Sequence, residues 1–178
     1  MSMDDGADDR RTLLGRLILP WTAVPAVVYD RHLTVQVANR LAKAVHPTFR
    51  AGANLARSTF LEPERDTPVD PAGTAPIGAR LAGELRRALD EHQEDREYIA
   101  LVGELAAQSS AFAQFWANAD GSQPNGVVGF AVPSVGHLVL AYHRFAVPGP
   151  DGDTLLLWSG ADDESAETLR LLASTLAD

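Results

Sequence analysis

Two histidines in the C-terminal third of the chain could bind a metal ion. His137 and His143 lie six residues apart in the apolar segment 137–147, so on a β-strand their side chains share one face. A protein zinc site needs at least one further ligand, and no H-x-x-x-H spacing or acidic partner accompanies them. We therefore interpret both as surface histidines and expect neither a metal site nor a cofactor.

Two acidic pairs could act as general acids or bases. Glu62 and Glu64 lie in a proline-rich stretch, and Asp162 and Asp163 precede a helix, so both pairs are interpreted as solvated charge. The chain has no cysteine nucleophile, no G-x-S-x-G motif, no P-loop and no dinucleotide-binding fingerprint. The sequence therefore gives no reason to expect an enzyme.

An aromatic stripe in segment 109–121 is the most conspicuous candidate for binding. Phe112, Phe115 and Trp116 are spaced i, i+3 and i+4, which places three large rings on one face of a helix. The stripe is either core, the reading favoured for Phe115, or the wall of a ligand cavity. Phe112 and Trp116 are the candidates for that wall.

Arg57 is the polar candidate, because its guanidinium could bind a carboxylate through two parallel hydrogen bonds. The alternatives are a surface arginine or an ion pair with Glu62 or Glu64. Phe60 and Tyr142 are weaker candidates for ligand contact, since each residue fits an ordinary core equally well.

Composition restricts the class of protein. The chain has 178 residues, of which 46% are hydrophobic, and a formal net charge of −9. These values predict one globular domain and argue against direct nucleic-acid binding, which needs a basic surface. No apolar run approaches the length of a membrane span, and the acidic N-terminus is not a secretory signal. A cytoplasmic protein without membrane contact is expected.

The elements that would position these residues follow from periodicity and turn residues. Residues 1–11 are expected to form a flexible acidic tail, followed by one domain over 12–178 and a first short helix over 11–19. Helices are predicted over 40–46 and 55–61, around Leu81 and Leu105, through the aromatic stripe, and after Asp163. Strands are expected near residues 26–30, 33–38, 127–132, 137–147 and 154–160.

This order gives a specific architecture: an α+β, PAS-like fold with a five-stranded antiparallel sheet. The helices are inserted between the second and third strands, and a last helix follows the sheet. In such a fold one sheet face packs against helices, and a cavity commonly lies between them.

Several collinear motifs carry a family resemblance. Three motifs lie between an opening hairpin that ends in Asn39 and closing strands from "PSVGHLVLAYHRF" onward. In chain order they are "NLARSTFLEP" with Asn54, Arg57 and Phe60, then "AGELRRALDEH", then Ser110-x-Phe112-x-x-x-Trp116 after "LVGELAAQS". Together they resemble the MmyB-like ligand-binding domain over roughly residues 13–176. That domain is the C-terminal, PAS-like half of XRE-type helix-turn-helix regulators, abundant in actinobacteria.

The resemblance implies a ligand-sensing regulatory domain whose cavity accommodates a small apolar, fatty-acid-like molecule. On this interpretation Arg57, Phe60, Phe112, Trp116 and Tyr142 are the expected contacts, with Arg57 at the polar head. The stretch before the matching region is too short for the helix-turn-helix half, so no direct DNA binding is expected. A dimerisation or protein-interaction module with a filled core is the alternative, and a homodimer is compatible with either function.

Overall fold

The computed structural model describes residues 3–62, 77–118, 125–149 and 152–177. Over these residues the helices are α1 (Met3–Ile18), α2 (Arg40–Val45), α3 (Leu55–Phe60), α4 (Ile77–Glu91), α5 (Arg96–Gln108), α6 (Ser110–Ala117) and α7 (Asp163–Thr175). The strands are β1 (Ala26–Tyr29), β2 (Val35–Ala38), β3 (Asn125–Val132), β4 (Gly136–Ala146) and β5 (Thr154–Gly160). None of the described helices is long and apolar enough to cross a membrane.

The five strands form one antiparallel sheet in the order β2-β1-β5-β4-β3. The first and last strands are neighbours, and the chain from α2 to α6 connects one edge strand, β2, to the other, β3. The predicted α+β fold is therefore confirmed, including the antiparallel sheet, the inserted helices and the C-terminal helix.

Both faces of the sheet are covered near β1, which explains why all four residues of this strand are buried. Val27 belongs to the large core that faces α2–α7, whereas Val28 belongs to a smaller core with Leu14 and Ile18 of α1. A strand buried on both faces reads as a continuous apolar run rather than an alternating one. The sequence Ala26–Tyr29 has this character.

The first helix differs from its prediction. It begins at Met3, so most of the acidic segment expected as a tail is helical. Arg10 of this helix donates from Nε to Oδ2 of Asp153 at 2.7 Å, and the Asp153 side chain is only 2% exposed. This long-range ion pair fixes a segment whose local composition favours disorder.

The second strand also begins later than its alternating pattern suggests. Oδ1 of Asp30 accepts hydrogen bonds from the backbone N–H groups of His32 and Thr34, each at 2.9 Å, and this extends the turn. Leu33 consequently adopts a φ of 65° and is fully buried. Pairing with β1 therefore starts at Val35.

Asparagine, aspartate and serine side chains begin most of the short helices. Asn54 accepts from the N–H groups of Ala56 and Arg57 at the start of α3, and Ser109 accepts from Phe112 at the start of α6. Because N-terminal N–H groups have no intrahelical acceptor, these side chains define where each helix begins.

Candidate ligand-binding cavity

A cavity lies between the sheet and helices α3 and α4. It has a volume of about 100 Å³ and opens to solvent. Its lining comprises Tyr29, His46, Thr48, Phe49, Leu55, Ser58, Thr59, Glu62, Ile77, Arg80, Leu81, Glu84, Val128, Phe130, Tyr142, Arg144, Leu156 and Trp158.

Strand periodicity explains which residues of the sheet line the cavity. Alternate residues of β3, β4 and β5 face the helices, and the register aligns Tyr142 with Trp158 and Arg144 with Leu156 across adjacent strands. Residues on one face of a paired ladder become neighbours in space although they are distant in sequence. The cavity floor is therefore specified by the sheet register rather than by a local motif.

An aromatic cluster forms much of the apolar wall. The ring centroids of Phe49 and Trp158 lie 4.8 Å apart, and those of Phe49 and Phe130 lie 6.0 Å apart. These separations and the tilted or edge-on arrangements are typical of favourable aromatic pairs. The wall can bury an apolar chain against rigid rings.

A buried polar cluster of Tyr29, Glu84 and Arg144 joins the sheet to α4. The Tyr29 hydroxyl donates to Oε1 of Glu84 at 3.1 Å, and Nε of Arg144 donates to the Tyr29 oxygen at 2.9 Å. Arg144 also donates from an Nη atom to Oε1 of Glu84. The Glu84 and Arg144 side chains are 12% and 14% exposed, so the ion pair is largely removed from water.

The environment of this cluster shifts the pKa of each member upward. Burial, with Glu84 adding to it, raises the pKa of the Tyr29 phenol well above its ordinary value, so Tyr29 acts as a protonated donor. Burial also raises the pKa of Glu84, although Arg144 and the Tyr29 hydroxyl oppose this shift. Burial would lower the pKa of Arg144, but Glu84 and Tyr29 outweigh it, so the guanidinium stays charged.

Two further polar side chains border the cavity. Nδ1 of His46 accepts the backbone N–H of Thr48 at 3.2 Å, which places the proton of a neutral imidazole on Nε2. The guanidinium carbon of Arg80 lies 5.4 Å from the centroid of the Tyr142 ring, within the range of a cation–π contact. The cavity is thus mainly apolar, with polar groups at a few defined positions.

Of the five residues predicted to contact a ligand, Tyr142 lines this cavity. Arg57 lies at the surface, where Nε and an Nη atom contact Oε2 of Glu104 at 2.8 and 2.7 Å. The structure therefore gives Arg57 an ion pair on α5, whereas the sequence pointed to Glu62 or Glu64. Glu64 lies outside the described residues.

The predicted aromatic stripe packs between helices. Phe112 is fully buried, with its centroid 5.0 Å from Phe60 and 5.5 Å from Trp116. Trp116 is partly exposed, and its carbonyl oxygen accepts from Arg86 at 2.7 Å. Phe60, Phe112 and Trp116 lie outside the cavity lining, so their contact with a ligand stays a prediction, whereas their role in the core is visible.

The other candidate side chains have simpler roles. His137 and His143 are both exposed on β4. Asp162 accepts from the N–H of Ser165 at 2.7 Å, and this bond lowers the pKa of its carboxyl group. Among the described residues, no group of three or more histidine, aspartate or glutamate side chains could hold a metal ion.

Sequence reasoning missed Glu84 and Arg144. One available signal was the alternation of β4, which places Arg144 on the same face as Tyr142. Glu84 follows Leu81 by three residues and precedes Leu85, so it borders the apolar stripe of α4. A charged residue beside a buried stripe is a signal for a buried polar contact.

The structure thus combines a PAS-like sheet with a largely apolar cavity and a few fixed polar groups. Comparison with family models makes the assignment specific: the model of the MmyB-like transcription regulator ligand binding domain matches residues 11–172. The chain belongs to this family, and is thus a ligand-binding domain of the kind found in transcription regulators. No curated protein matches the chain.

Proposed function

We propose that the protein is a ligand-sensing regulatory domain that binds a small, largely apolar molecule with a fatty-acyl-like chain. The observation that carries this proposal is the cavity between the sheet and helices α3 and α4. Its wall is mainly aliphatic and aromatic, and its polar groups are gathered at a few positions. This combination suits an amphiphile with one polar end.

The energetics support useful affinity without special chemistry. Burying a twelve-methylene chain at ~0.8 kcal/mol per methylene contributes roughly 10 kcal/mol before the costs of association. Lost translational freedom and ordering of the chain consume several kcal/mol. With an association cost of about 4 kcal/mol, the net binding free energy is about −6 kcal/mol, which corresponds to a dissociation constant of tens of micromolar.

A chain-length series tests the proposal. Native mass spectrometry of the protein as purified should show a bound lipid, and calorimetry on delipidated protein should show affinity rising with chain length to an optimum. The ligand should be recovered unchanged, because the proposed role is binding without catalysis. The absence of binding below millimolar concentration for every chain length would refute the proposal.

A homodimer is the second candidate, and the exposed apolar residues of α1 favour it. Leu13 and Leu17 are 64% and 53% exposed and lie on one helical face. Burial of this face against a second copy would remove both from water. Light scattering should give a dimeric mass that becomes monomeric in Leu13→Glu/Leu17→Glu, whereas a monomeric wild-type protein would contradict this proposal.

The proposed role places the protein in the cytoplasm, without nucleic-acid or membrane contact of its own. Its partner is the small molecule, and a regulatory output would pass to other protein segments. The XRE-type regulators that the sequence resembles, and the actinobacterial setting, remain part of the proposal.

A further inference from the structure

Glu84 keeps hydrogen-bonding capacity at the cavity wall. Its Oε1 atom accepts hydrogen bonds from the Tyr29 hydroxyl and from Arg144. Over the residues that the structure describes, no hydrogen bond is found to the second oxygen, Oε2. The side chain lines the cavity and is 12% exposed. Oε2 is therefore the atom of this carboxyl group that remains for contact with a ligand.

Positive charge lies on both sides of this carboxyl group. Arg80 precedes Glu84 by four residues on α4, so both side chains share one face of the helix, and both line the cavity. Arg144 faces them from β4 and also lines the cavity. Arg87, on α4 as well, acts electrostatically on Glu84. An anionic head group that enters the cavity therefore meets cations near Glu84.

The protonated form of Glu84 is the one that suits such a ligand. Burial raises the pKa of this carboxyl group, although Arg144, the Tyr29 hydroxyl and Arg87 oppose the shift. A ligand carboxylate beside it favours the neutral form further, because two adjacent carboxylates away from water do not both ionise. A protonated carboxyl group has an O–H donor. A hydrogen bond from an O–H group to a carboxylate is among the shorter and stronger ones in proteins.

The charges around the cavity agree with this protonation state. Among the described residues of the lining, Arg80 and Arg144 are positive, and the acidic residues are Glu62 and Glu84. If Glu84 is protonated, Glu62 and a ligand carboxylate balance the two arginines. If Glu84 is ionised, the same ligand leaves one negative charge in excess.

We propose that Glu84 contacts the ligand directly: in its protonated form it donates a hydrogen bond from Oε2 to a carboxylate at the polar end of the ligand. Tyr29 and Arg144 hold Oε1, and Arg144 and Arg80 supply positive charge. Where Glu84 is ionised in the free protein, the proton comes from solvent. The inference rests on the proposed function, because it names the polar end of the ligand whose chain lies in the cavity. The head-group contact then lies on α4 and not at Arg57.

The groups packed around Glu84 keep their protons near neutral pH. Burial raises the pKa values of Tyr29 on β1 and of Tyr98 on α5 well above the ordinary value. Burial would lower the pKa of Arg144 on β4, but Glu84 and Tyr29 raise it. The arginines of α4 stay charged, as arginine does in proteins. Within this cluster, Glu84 is therefore the group whose titration affects binding.

The pH dependence of binding tests the inference. Calorimetry on delipidated protein compares dodecanoate with dodecanol between about pH 6 and about pH 9, where a carboxyl group of ordinary pKa is ionised. The binding form of Glu84 is present below its pKa in the free protein and is lost as pH rises through that value. The affinity for dodecanoate should fall at least about ten-fold over this range. The affinity for dodecanol should change less than about two-fold.

The variant Glu84→Gln keeps the shape of the side chain and has a permanent N–H donor in place of the O–H. Dodecanoate should bind it without the loss at high pH, and at about pH 9 at least about ten-fold more tightly than it binds wild type. An effect of His46 or Glu62, which also line the cavity, would persist in this variant. Glu104→Gln is the matched control. It alters the surface ion pair with Arg57, outside the cavity lining, and should keep the wild-type pH profile.

The outcomes separate the inference from the function beneath it. If dodecanoate binds wild type equally at both ends of the pH range, the inference is overturned and the proposed function stands. An equal loss in folded Glu84→Gln, verified by near-ultraviolet circular dichroism, also overturns it. If neither probe binds wild type at any pH, the proposed function fails and the inference fails with it. The wild-type comparison of the two probes remains decisive if the variant does not fold.

Discussion

At the scale of single residues, Asn39 connects three parts of the fold. Its Oδ1 accepts from the N–H groups of Ala26 and Ala42 at 3.2 and 2.9 Å. Its Nδ2 donates to the carbonyl oxygens of Trp21 and Val24 at 3.0 and 2.7 Å. This fully buried side chain thus hydrogen-bonds to backbone groups of the segment after α1, of the start of β1 and of the start of α2.

Replacing Asn39 by alanine should lower the free energy of unfolding by roughly 2–4 kcal/mol, because four backbone groups lose a partner and two of those hydrogen bonds are buried. Urea denaturation measures this change. Asn118→Ala removes an exposed hydrogen bond to Gln114 and should stay within about 0.5 kcal/mol of wild type. Equal effects of the two substitutions would contradict the role assigned to Asn39.

Individual site residues were only partly predictable from sequence. Tyr142 was identified as an aromatic residue in a strand, and it does line the cavity. Arg57 was chosen for its chemistry, but its partner Glu104 is 47 residues away on another helix. Glu84 and Arg144 are 60 residues apart, and their contact depends on how α4 crosses the sheet. Local patterns carry no information on such pairings.

At the scale of elements, the contact between β5 and α7 depends on Gly160. A Cβ atom there would lie 2.3 Å from the backbone nitrogen of Ala166 and 2.4 Å from its Cα atom. The strand and the last helix approach so closely that no side chain fits between them. On α5, by contrast, a Cβ atom at Gly103 would meet nothing within 4 Å.

The two glycines therefore predict opposite effects of the same substitution. Gly160→Ala should destabilise the protein by roughly 1–3 kcal/mol or more, because backbone must move. Gly103→Ala should stabilise it by up to about 1 kcal/mol, through better helix propensity. Thermal unfolding of both variants measures the difference. If Gly103→Ala destabilised the protein as much as Gly160→Ala, this account of the contact between β5 and α7 would be refuted.

The start of α5 gives a prediction about pH. Burial alone would raise the pKa of the Asp95 carboxyl group, but hydrogen bonds from His32 and from the N–H groups of Tyr98 and Glu97 outweigh it and lower the pKa below 3.8. A carboxyl group whose pKa is depressed on folding stabilises the protein above its unfolded pKa. This stabilisation is lost as pH falls through the folded value.

Asp95→Asn should therefore reduce stability at about pH 6 and have a shrinking effect as pH falls below about 4. Asparagine can still cap the helix, so the change isolates the charge. Chemical denaturation of both proteins across this pH range measures the difference. A difference that is constant with pH would exclude a role for the Asp95 charge.

The boundaries of the helices and strands show which of them sequence patterns can predict. The five strands and the caps of α3 and α6 follow from local signals, since alternation and capping involve neighbouring residues. The extent of α1 does not, because Arg10 in the middle of this helix pairs with the distant Asp153. The start of β2 was misplaced because alternation alone cannot reveal the turn bonds of Asp30.

At the scale of the whole molecule, the sheet separates two environments. α1 covers one face with a small apolar core, and α2–α7 cover the other face with the large core and the cavity. α1 carries the exposed residues Leu13 and Leu17, and the opposite face of the sheet holds the candidate site. A ligand in the cavity would contact both the sheet and α4.

The net charge of −9 predicts that this chain alone does not bind DNA specifically. Phosphate contacts require a cluster of cations to replace bound counterions. A mobility-shift titration at moderate salt should show no sequence-dependent complex. A specific complex that weakens steeply with salt would contradict this expectation.

The central claim is that the cavity between the sheet and α4 binds an acyl-like chain, and calorimetry on delipidated protein with a fixed-chain alcohol tests it most directly. Leu156→Trp should fill the cavity and weaken binding at least about ten-fold. Leu171→Trp makes the same change at a residue that is 57% exposed and should leave binding unchanged. Micromolar binding to wild type and Leu171→Trp, lost in Leu156→Trp, is the predicted result. Equal binding to all three proteins, or none to wild type below millimolar concentration, would contradict the claim.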